Sequence, residues 1–366
     1  MKLARLETYT TPEVGLVCAH TESGEFGWGQ LSPYNADISA AVFHRQVAPW
    51  VLGRSVDDLD ALFDRVVEAE FKFPGSYLRR AFAGLDTAVW DLRGRVAGKP
   101  VAELLGGGLR SLGVYASSMR RDITPVEEGR RLAQLQQDQG FRAVKIRVGK
   151  ENGHDVDEWP GRTEEMLAAI PGALDPGTRL MVDANCGYSP AKAIELGRRL
   201  EQNGFVHFEE PCSYWEYEQT AEVRAALDGS AVEVAGGEQD WDLATWRRLF
   251  DQHVFDVVQP DLLYLGGLAA TSRVATLAQS AHIPVLMHSA NLALGIMFTL
   301  HLVSALGGEL VEWSIEGPDY YPWQHCLYEP MPEVVDGRVT APVGPGWGVE
   351  INDNWLGAAE RRVSEE

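Results

Sequence analysis

Cysteine is scarce in this chain of 366 residues. The four present (Cys18, Cys186, Cys212 and Cys326) are too few in a chain this long to make a disulfide framework, and none forms the CxxC pair of a zinc site. Reduced thiols and a cytoplasmic setting are therefore expected. Basic residues are also few: 32 Lys and Arg stand against 53 Asp and Glu, a net charge of −21. Nucleic acid and anionic membrane reward clustered cations, so neither is expected as a partner. No apolar run approaches the ~20 residues of a membrane helix. The longest, LALGIMFTLHLVSAL, carries a histidine and reads as a buried helix. The opening residues, MKLARLETYTT, hold no apolar core of a secretory signal. Low-complexity tracts are absent. No GxGxxG follows the first apolar run, which removes the main argument for a dinucleotide-binding fold.

What the chain does have is a rhythm. From about residue 112, β-rich runs alternate with amphipathic stretches: LGVYASS, FRAVKIRVG, RLMVDAN, GFVHFEEP, VEVAGGE, FDVVQPD, IPVLMHS and ELVEWS. Regular alternation implies parallel strands joined by right-handed crossovers, and eight such runs favour a closed (β/α)7–8 TIM-type barrel. The first 111 residues read differently, as alternating strands followed by helical patterns such as RAFAGLDTAVWDLRGRVAG, an α+β capping domain. The fold class is thus α/β, with capping domain 1–111, barrel 112–325 and a C-terminal segment 326–366. A DG turn in VVDGRVTAPV predicts a hairpin that returns to the N-terminal sheet.

Chemistry-bearing residues gather at the ends of the β-rich runs. Asp183, Glu209 and Glu238 each close one, and strands of a parallel barrel release their ends on one face. Converging carboxylates repel unless a hard cation lies between them, and an all-oxygen set suits Mg²⁺. In VKIRVG, side-chain alternation sends Lys145 and Arg147 to one face and Val144, Ile146 and Val148 to the other. With the apolar set against the outer helices, both cations point inward. The same alternation turns Asn185 inward with Asp183. Of the adjacent pair in FEEP only one can do so. Glu209 is assigned to the metal, and Glu210 to an outer or loop position, with a salt bridge as one role. Asp261 in QPD and His288 in MHS close neighbouring runs, the arrangement of a base whose tautomer is fixed by a carboxylate. Glu312 can serve as a hydrogen-bond donor, bind a hydroxyl, or pair with Lys145. Phe26, Trp28 and Tyr34 in the aromatic loop GEFGWGQLSPYN are candidates for covering the mouth, and Trp28 and Tyr34 for touching substrate. Cys186, Tyr214 and Trp215 follow strand ends and are further pocket candidates.

The ordered set ALDTAVWDLRGRVAGKP, KxR, DAN, FEEP, GGE, QPDLLYLGG, MHSAN, VEW and PGWGV resembles the enolase superfamily, and within it the mandelate racemase-like subgroup, over most of the chain. The resemblance implies that Asp183, Glu209 and Glu238 bind Mg²⁺, that His288 and Asp261 form a base dyad, and that Glu312 hydrogen-bonds the substrate carboxylate. It also implies proton abstraction α to a carboxylate through an enediolate, a small-molecule carboxylate substrate and a homo-oligomer. One departure matters: the subgroup carries Lys-x-Lys where this chain has Lys145 and Arg147. A guanidinium is a poor proton acceptor, so a single base remains. This favours dehydration of a sugar acid over racemisation or epimerisation. Two other readings are a barrel glycosidase using Glu209 and Glu312, and a barrel that binds metal without catalysis.

Overall fold

The computed structural model describes all 366 residues. Three antiparallel strands, β1 (Leu3–Thr10), β2 (Gly15–Thr21) and β3 (Phe26–Gln30), open the chain. The long helix Ser76–Ala97 lies across them. It approaches so closely that a Cβ on Gly27 or Gly29 would stand 2.3 or 2.4 Å from the carbonyl oxygens of Ala88 and Gly84. Glycine is therefore required on this face of β3.

The barrel begins at β4 (Leu112–Ser117). It continues through β5 (Ala143–Arg147), β6 (Arg179–Asp183), β7 (Phe205–Glu209), β8 (Glu233–Gly236), the two-residue β9 (Val257–Val258) and β10 (Leu310–Ser314). These seven pair in the parallel order β10-β4-β5-β6-β7-β8-β9. The IPVLMHS run forms no full strand. It holds the remaining place in the ring by a bridge from Val285 to Val258 and by Leu286 N–H donating to Val258 O at 2.9 Å. Prolines in QPD and IPV remove backbone donors on these two neighbouring segments, which is why pairing is thin here. The architecture is a (β/α)7–8 TIM-type barrel with an α+β cap.

Alternation sorts the barrel residues. Val144, Ile146, Val148, Val182, Phe208, Val234 and Val311 join the 61-residue core under the outer helices. Tyr115, Ala143, Met181, Ala235, Val257 and Leu286 form a small apolar floor inside the ring. Polar side chains occupy the interior above it. The helix Gly295–Leu306, drawn from the longest apolar run, is almost wholly buried. No helix is long and apolar enough to cross a membrane.

The tail departs from expectation. The DG segment leads into β12 (Arg338–Val339), which adds antiparallel to barrel strand β4 rather than to the N-terminal sheet. Val114 N–H donates to Gly337 O at 3.0 Å. β4 pairs with β5 only at Ala116 and Ser117, and the hairpin covers the open edge of its first half. On either side of it in the chain, β11 (Tyr328–Glu329) and β13 (Glu350–Ile351) pair with each other, and only β14 (Glu360–Glu365) joins the capping sheet, beside β1. His44 fastens this last strand, sitting between the hydroxyls of Thr8 at 2.9 Å and Ser364 at 2.8 Å.

Cap and barrel are stitched by the ALDTAVWDLRG helix. Asp86 Oδ1 accepts the Leu268 N–H at 2.7 Å, at the start of the barrel helix Leu268–Ser280. Asp91 accepts from Trp28 N at 2.8 Å and from Trp347 N at 2.9 Å.

Two outcomes follow. Gly267 has φ +116, and a Cβ there would lie 2.2 Å from Asp86 Oδ1. Gly267→Ala should thus cost about 3 kcal/mol or more in urea unfolding; a cost below about 1 kcal/mol would show that this junction yields. Burial, with Arg362, pushes the His44 pKa down to about 4 from 6.5. Its contribution is complete above pH 6.5 and is lost as pH falls towards 4, because the unfolded chain binds the proton more readily. Urea midpoints should fall across this window less steeply in His44→Gln, whose amide can bond both hydroxyls; parallel curves would refute the assignment.

Candidate active site

Register brings the expected residues to one end of the barrel. Arg147, Asp183 and Glu209 are direct neighbours across β5, β6 and β7, and Glu209 faces Ala235 on β8, three residues before Glu238. The chain leaves these strands in left-handed conformations: Gly149 (φ 62), Asn185 (φ 40), Cys186 (φ 62), Glu210 (φ 41) and Gly237 (φ 102). Non-glycine residues in this region cost roughly a kcal/mol or more each, and such strain gathers where function fixes side-chain direction.

Deepest in the mouth, Lys145 Nζ contacts Glu209 Oε2 at 2.7 Å and Glu312 Oε1 at 2.8 Å, and all three are sealed from solvent. Gln259 Nε2 donates to Glu209 Oε2 at 2.7 Å. Glu312 also accepts from Ser117 Oγ at 2.7 Å and Ser289 N at 2.8 Å. Burial alone would neutralise the Glu312 carboxyl, but the Lys145 ammonium outweighs it and holds the pKa down to about 2. By the same balance, burial opposes charge on Lys145 while Glu209 and Glu312 keep it protonated, its pKa well above the usual range. Lys145 is a fixed positive charge, and Glu312 is its counter-ion.

Arg147 is in ion-pair contact with Asp183 Oδ2, and donates from Nε to Ser118 O at 2.9 Å and from Nη1 to Asn185 Oδ1 at 3.0 Å. Asn185 in turn donates from Nδ2 to Asp183 Oδ2 at 3.1 Å.

On the far side, His288 Nδ1 meets Asp261 Oδ2 at 2.7 Å and His288 Nε2 meets Glu238 Oε2 at 3.3 Å. Asp261 Oδ1 accepts the backbone N–H groups of Leu263 and Tyr264, which locks its orientation. Burial works against the imidazolium, yet the Glu238, Asp261 and Glu312 carboxylates together push the His288 pKa up to about 10.

Six carboxylates line this mouth, Asp183, Glu209, Glu210, Glu238, Asp261 and Glu312, all of them buried. Only Lys145 and Arg147 oppose them with permanent charge. The shortfall is visible in Glu210 and Glu238. Burial, then neighbouring carboxylates, drive the Glu210 pKa well above the usual range, and burial raises Glu238. Glu209 Oε1 and Glu210 Oε1 are buried with no partner at all. As the side chains stand, each expected metal ligand is engaged by a protein cation, and no three acidic, His or Cys groups close into a ready-made cage. The donor set nevertheless fits a hard divalent cation. It is all oxygen, it is over-charged, and it offers orphaned carboxylate oxygens. Neutralising Glu238 would also remove the foremost carboxylate raising His288, returning that base towards neutral pH.

Three expected placements need correction. Glu210 is neither outside nor salt-bridged; its left-handed backbone turns it into the mouth. Trp28 does not reach the mouth. Gly27 and Gly29 face the long helix, so alternation sends Trp28 to the opposite face, where it packs on Tyr9 at 5.7 Å. Phe26 shares that face, stacking on His20 at 5.8 Å. Tyr34, by contrast, reaches the barrel loops: its ring meets Trp323 edge-on at 5.7 Å. Cys186 is buried beside Glu210, whereas Tyr214 and Trp215 pack on each other and remain 43% and 54% exposed. Two contributors escaped the sequence reading. Gln259 lies two residues before Asp261, so strict alternation would have placed it inside. Arg121 follows a strand end within SSMRRD, where the charged pair was the available signal.

Comparison with known proteins identifies the family. Residues 128–355 match the enolase C-terminal domain-like family, and residues 2–106 match the mandelate racemase / muconate lactonizing enzyme N-terminal domain. A D-galactarolactone cycloisomerase of Agrobacterium fabrum is 32% identical, over 93% of this chain and 89% of its own length. An arabinonate dehydratase of Saccharolobus solfataricus is 26% identical, over 91% and 87%. Among solved structures, a Roseobacter denitrificans protein proposed to be a racemase has 53% identity and a TM-score of 0.97, with 100% of both chains covered. A mandelate racemase/muconate lactonizing protein of Paracoccus denitrificans, complexed with magnesium, has 30% identity and a TM-score of 0.89, covering 99% of this chain and 98% of its own. The chain belongs to the mandelate racemase/muconate lactonizing branch of the enolase superfamily, and is an enzyme of its dehydratase, racemase or isomerase type.

Proposed function

We propose that this enzyme removes the proton α to a substrate carboxylate with the aid of Mg²⁺ and completes the dehydration of a sugar acid. The observation that carries the reading is the asymmetry of the mouth. One side presents an imidazole backed by a carboxylate, His288 on Asp261 at 2.7 Å. The other presents Arg147, which has no practical proton-accepting form. Racemisation needs an acceptor and a donor on opposite faces. Loss of water can run with one group that takes the α-proton and then delivers it to the departing hydroxyl.

Asp183, Glu209 and Glu238 are the residues that would hold the cation. Bound there, Mg²⁺ would concentrate positive charge beside the substrate carboxylate and so acidify its α-proton. His288 Nε2 takes that proton while Nδ1–H stays on Asp261, which fixes the tautomer. Lys145, held protonated by Glu312, offers its charge to the developing enediolate oxygen. We therefore assign Glu312 to positioning Lys145, in place of the substrate hydrogen bond that family resemblance implies. The imidazolium of His288 next protonates the β-hydroxyl, the C–O bond breaks, water leaves, and the enol product tautomerises to a 2-keto-3-deoxy acid. A glycosidase reading finds little support. Its two carboxylates share one lysine, and Glu312 ionises too readily to act as the acid.

An acid-sugar library incubated with Mg²⁺ should yield a 2-keto-3-deoxy product, with activity abolished by EDTA and restored by added Mg²⁺. Deuterium uptake from solvent without loss of water would replace dehydration with racemisation, and indifference to EDTA would remove the metal from the scheme. His288→Asn should lower kcat by about 10³-fold or more, and Asp261→Asn by about 10²- to 10⁴-fold, with unchanged circular dichroism. Undiminished turnover in His288→Asn would overturn the assignment of the base.

A further inference from the structure

His288 and Asp261 are held by more than each other, and the additional hold comes from Tyr264. This residue lies in the single helical turn Leu262–Leu265 that follows Asp261. Its backbone N–H donates to Asp261 Oδ1 at 3.1 Å. Its buried ring packs on the His288 imidazole, with 5.9 Å between centroids and a tilt of 49°. One residue therefore fixes the carboxylate by its backbone and the imidazole by its side chain.

Tyr264 is in turn held from the cap. Arg80, half-buried on the long helix Ser76–Ala97, lays its guanidinium over the Tyr264 ring, 3.5 Å from the centroid. The same guanidinium donates from Nη1 to Ser32 Oγ at 2.5 Å, on a buried cap residue two positions before Tyr34. A cation over a tyrosine face is drawn to the negative side of the ring quadrupole. Gly266, which follows the turn with φ +104, would place a Cβ 3.6 Å from Arg79 O, so the cap helix lies directly against this segment. Contacts thus run without a gap from Ser32 through Arg80 and Tyr264 to His288.

Proton abstraction is the step that needs this support. As the side chains stand, Asp261 and Glu238 grip the imidazole at both nitrogens. Under the proposed function Glu238 turns to the cation, and Nε2 has to be bare to take the α-proton. One hydrogen bond then remains, at Nδ1, and a ring held at one nitrogen can still tip about that bond. A base misplaced by about 1 Å can lose about 10²-fold in rate. An aromatic ring pressed against the imidazole opposes the tipping. We infer that Tyr264 is a positioning residue for His288 and that Arg80 clamps it, so that the base is aligned only while the cap helix is seated on the barrel. This rests on the proposed function for the roles of His288 and Glu238.

The test observes the imidazole first and the rate second. In the full chain, carrying isotope-labelled histidine and saturated with Mg²⁺, the Nδ1–H proton of His288 is assigned by its loss in His288→Asn. It should give a slowly exchanging downfield resonance in the native chain and in Tyr264→Phe. In Tyr264→Leu and Arg80→Met it should broaden or vanish, as a tipping ring trades its proton with water. On the acid that the library screen turns over, kcat should fall about 10- to 100-fold in Tyr264→Leu and about 3- to 10-fold in Arg80→Met, with KM changed less than about twofold. Tyr264→Phe keeps the ring and Arg80→Lys keeps the cation, and each should recover most of the loss. Circular dichroism checks folding, and the half-buried Arg80 carries the test if Tyr264→Leu folds poorly. A resonance unchanged in Arg80→Met and Tyr264→Leu, a rise in KM in place of the fall in kcat, or a Tyr264→Phe as impaired as Tyr264→Leu would overturn the inference. A resonance lost from these two variants of a chain that turns over no acid would uphold the positioning role and overturn the dehydration reading instead.

Discussion

Negative charge crowded into a buried barrel mouth is the constraint around which this structure is organised. Carboxylates cannot pack together away from water unless positive charge is threaded among them, and the penalty for an unmatched one is several kcal/mol. Lys145, Arg147 and His288 supply that charge, each against a different part of the acidic set. The matching is incomplete, as the raised pKa values of Glu210 and Glu238 show. That residual imbalance is what a divalent cation would cancel. It also explains why Lys145 stays charged and Glu312 stays ionised, conditions under which neither can exchange protons with a substrate.

The rest of the fold holds this arrangement still. An apolar floor of Tyr115, Ala143, Met181, Ala235, Val257 and Leu286 keeps water from entering below. Asp86 and Asp91 on the long capping helix bind barrel helix and tail alike, so the cap cannot drift relative to the mouth without breaking buried hydrogen bonds. Tyr34 carries the cap's contact out to Trp323 over the last barrel loop.

Much of this was legible from residue order, because the strongest determinants are local. A strand's two-residue period decides that Lys145 and Arg147 share a face with neither Val144 nor Ile146, and a parallel barrel puts Asp183 beside Glu209 without further information. The pairing of His288 with Asp261 needed only the knowledge that their runs are adjacent. What escaped was set by backbone dihedrals and by distant partners. Glu210 enters the mouth because its φ is 41, which no spacing rule foretells. Trp28 turns away because its neighbouring glycines are claimed by a helix some sixty residues later in the chain. The DG hairpin covers the open half of β4, while β14 takes the edge of the capping sheet beside β1, a division between two open strands that the sequence does not rank.

The central claim is that the acidic excess of the mouth is a cation site. Isothermal titration of the metal-stripped protein with Mg²⁺ tests it without reference to any substrate. The account predicts one saturable site per chain, weakened at least about tenfold in each of Asp183→Asn, Glu209→Gln and Glu238→Gln. Failure to bind Mg²⁺, or binding that survives all three substitutions, would contradict it.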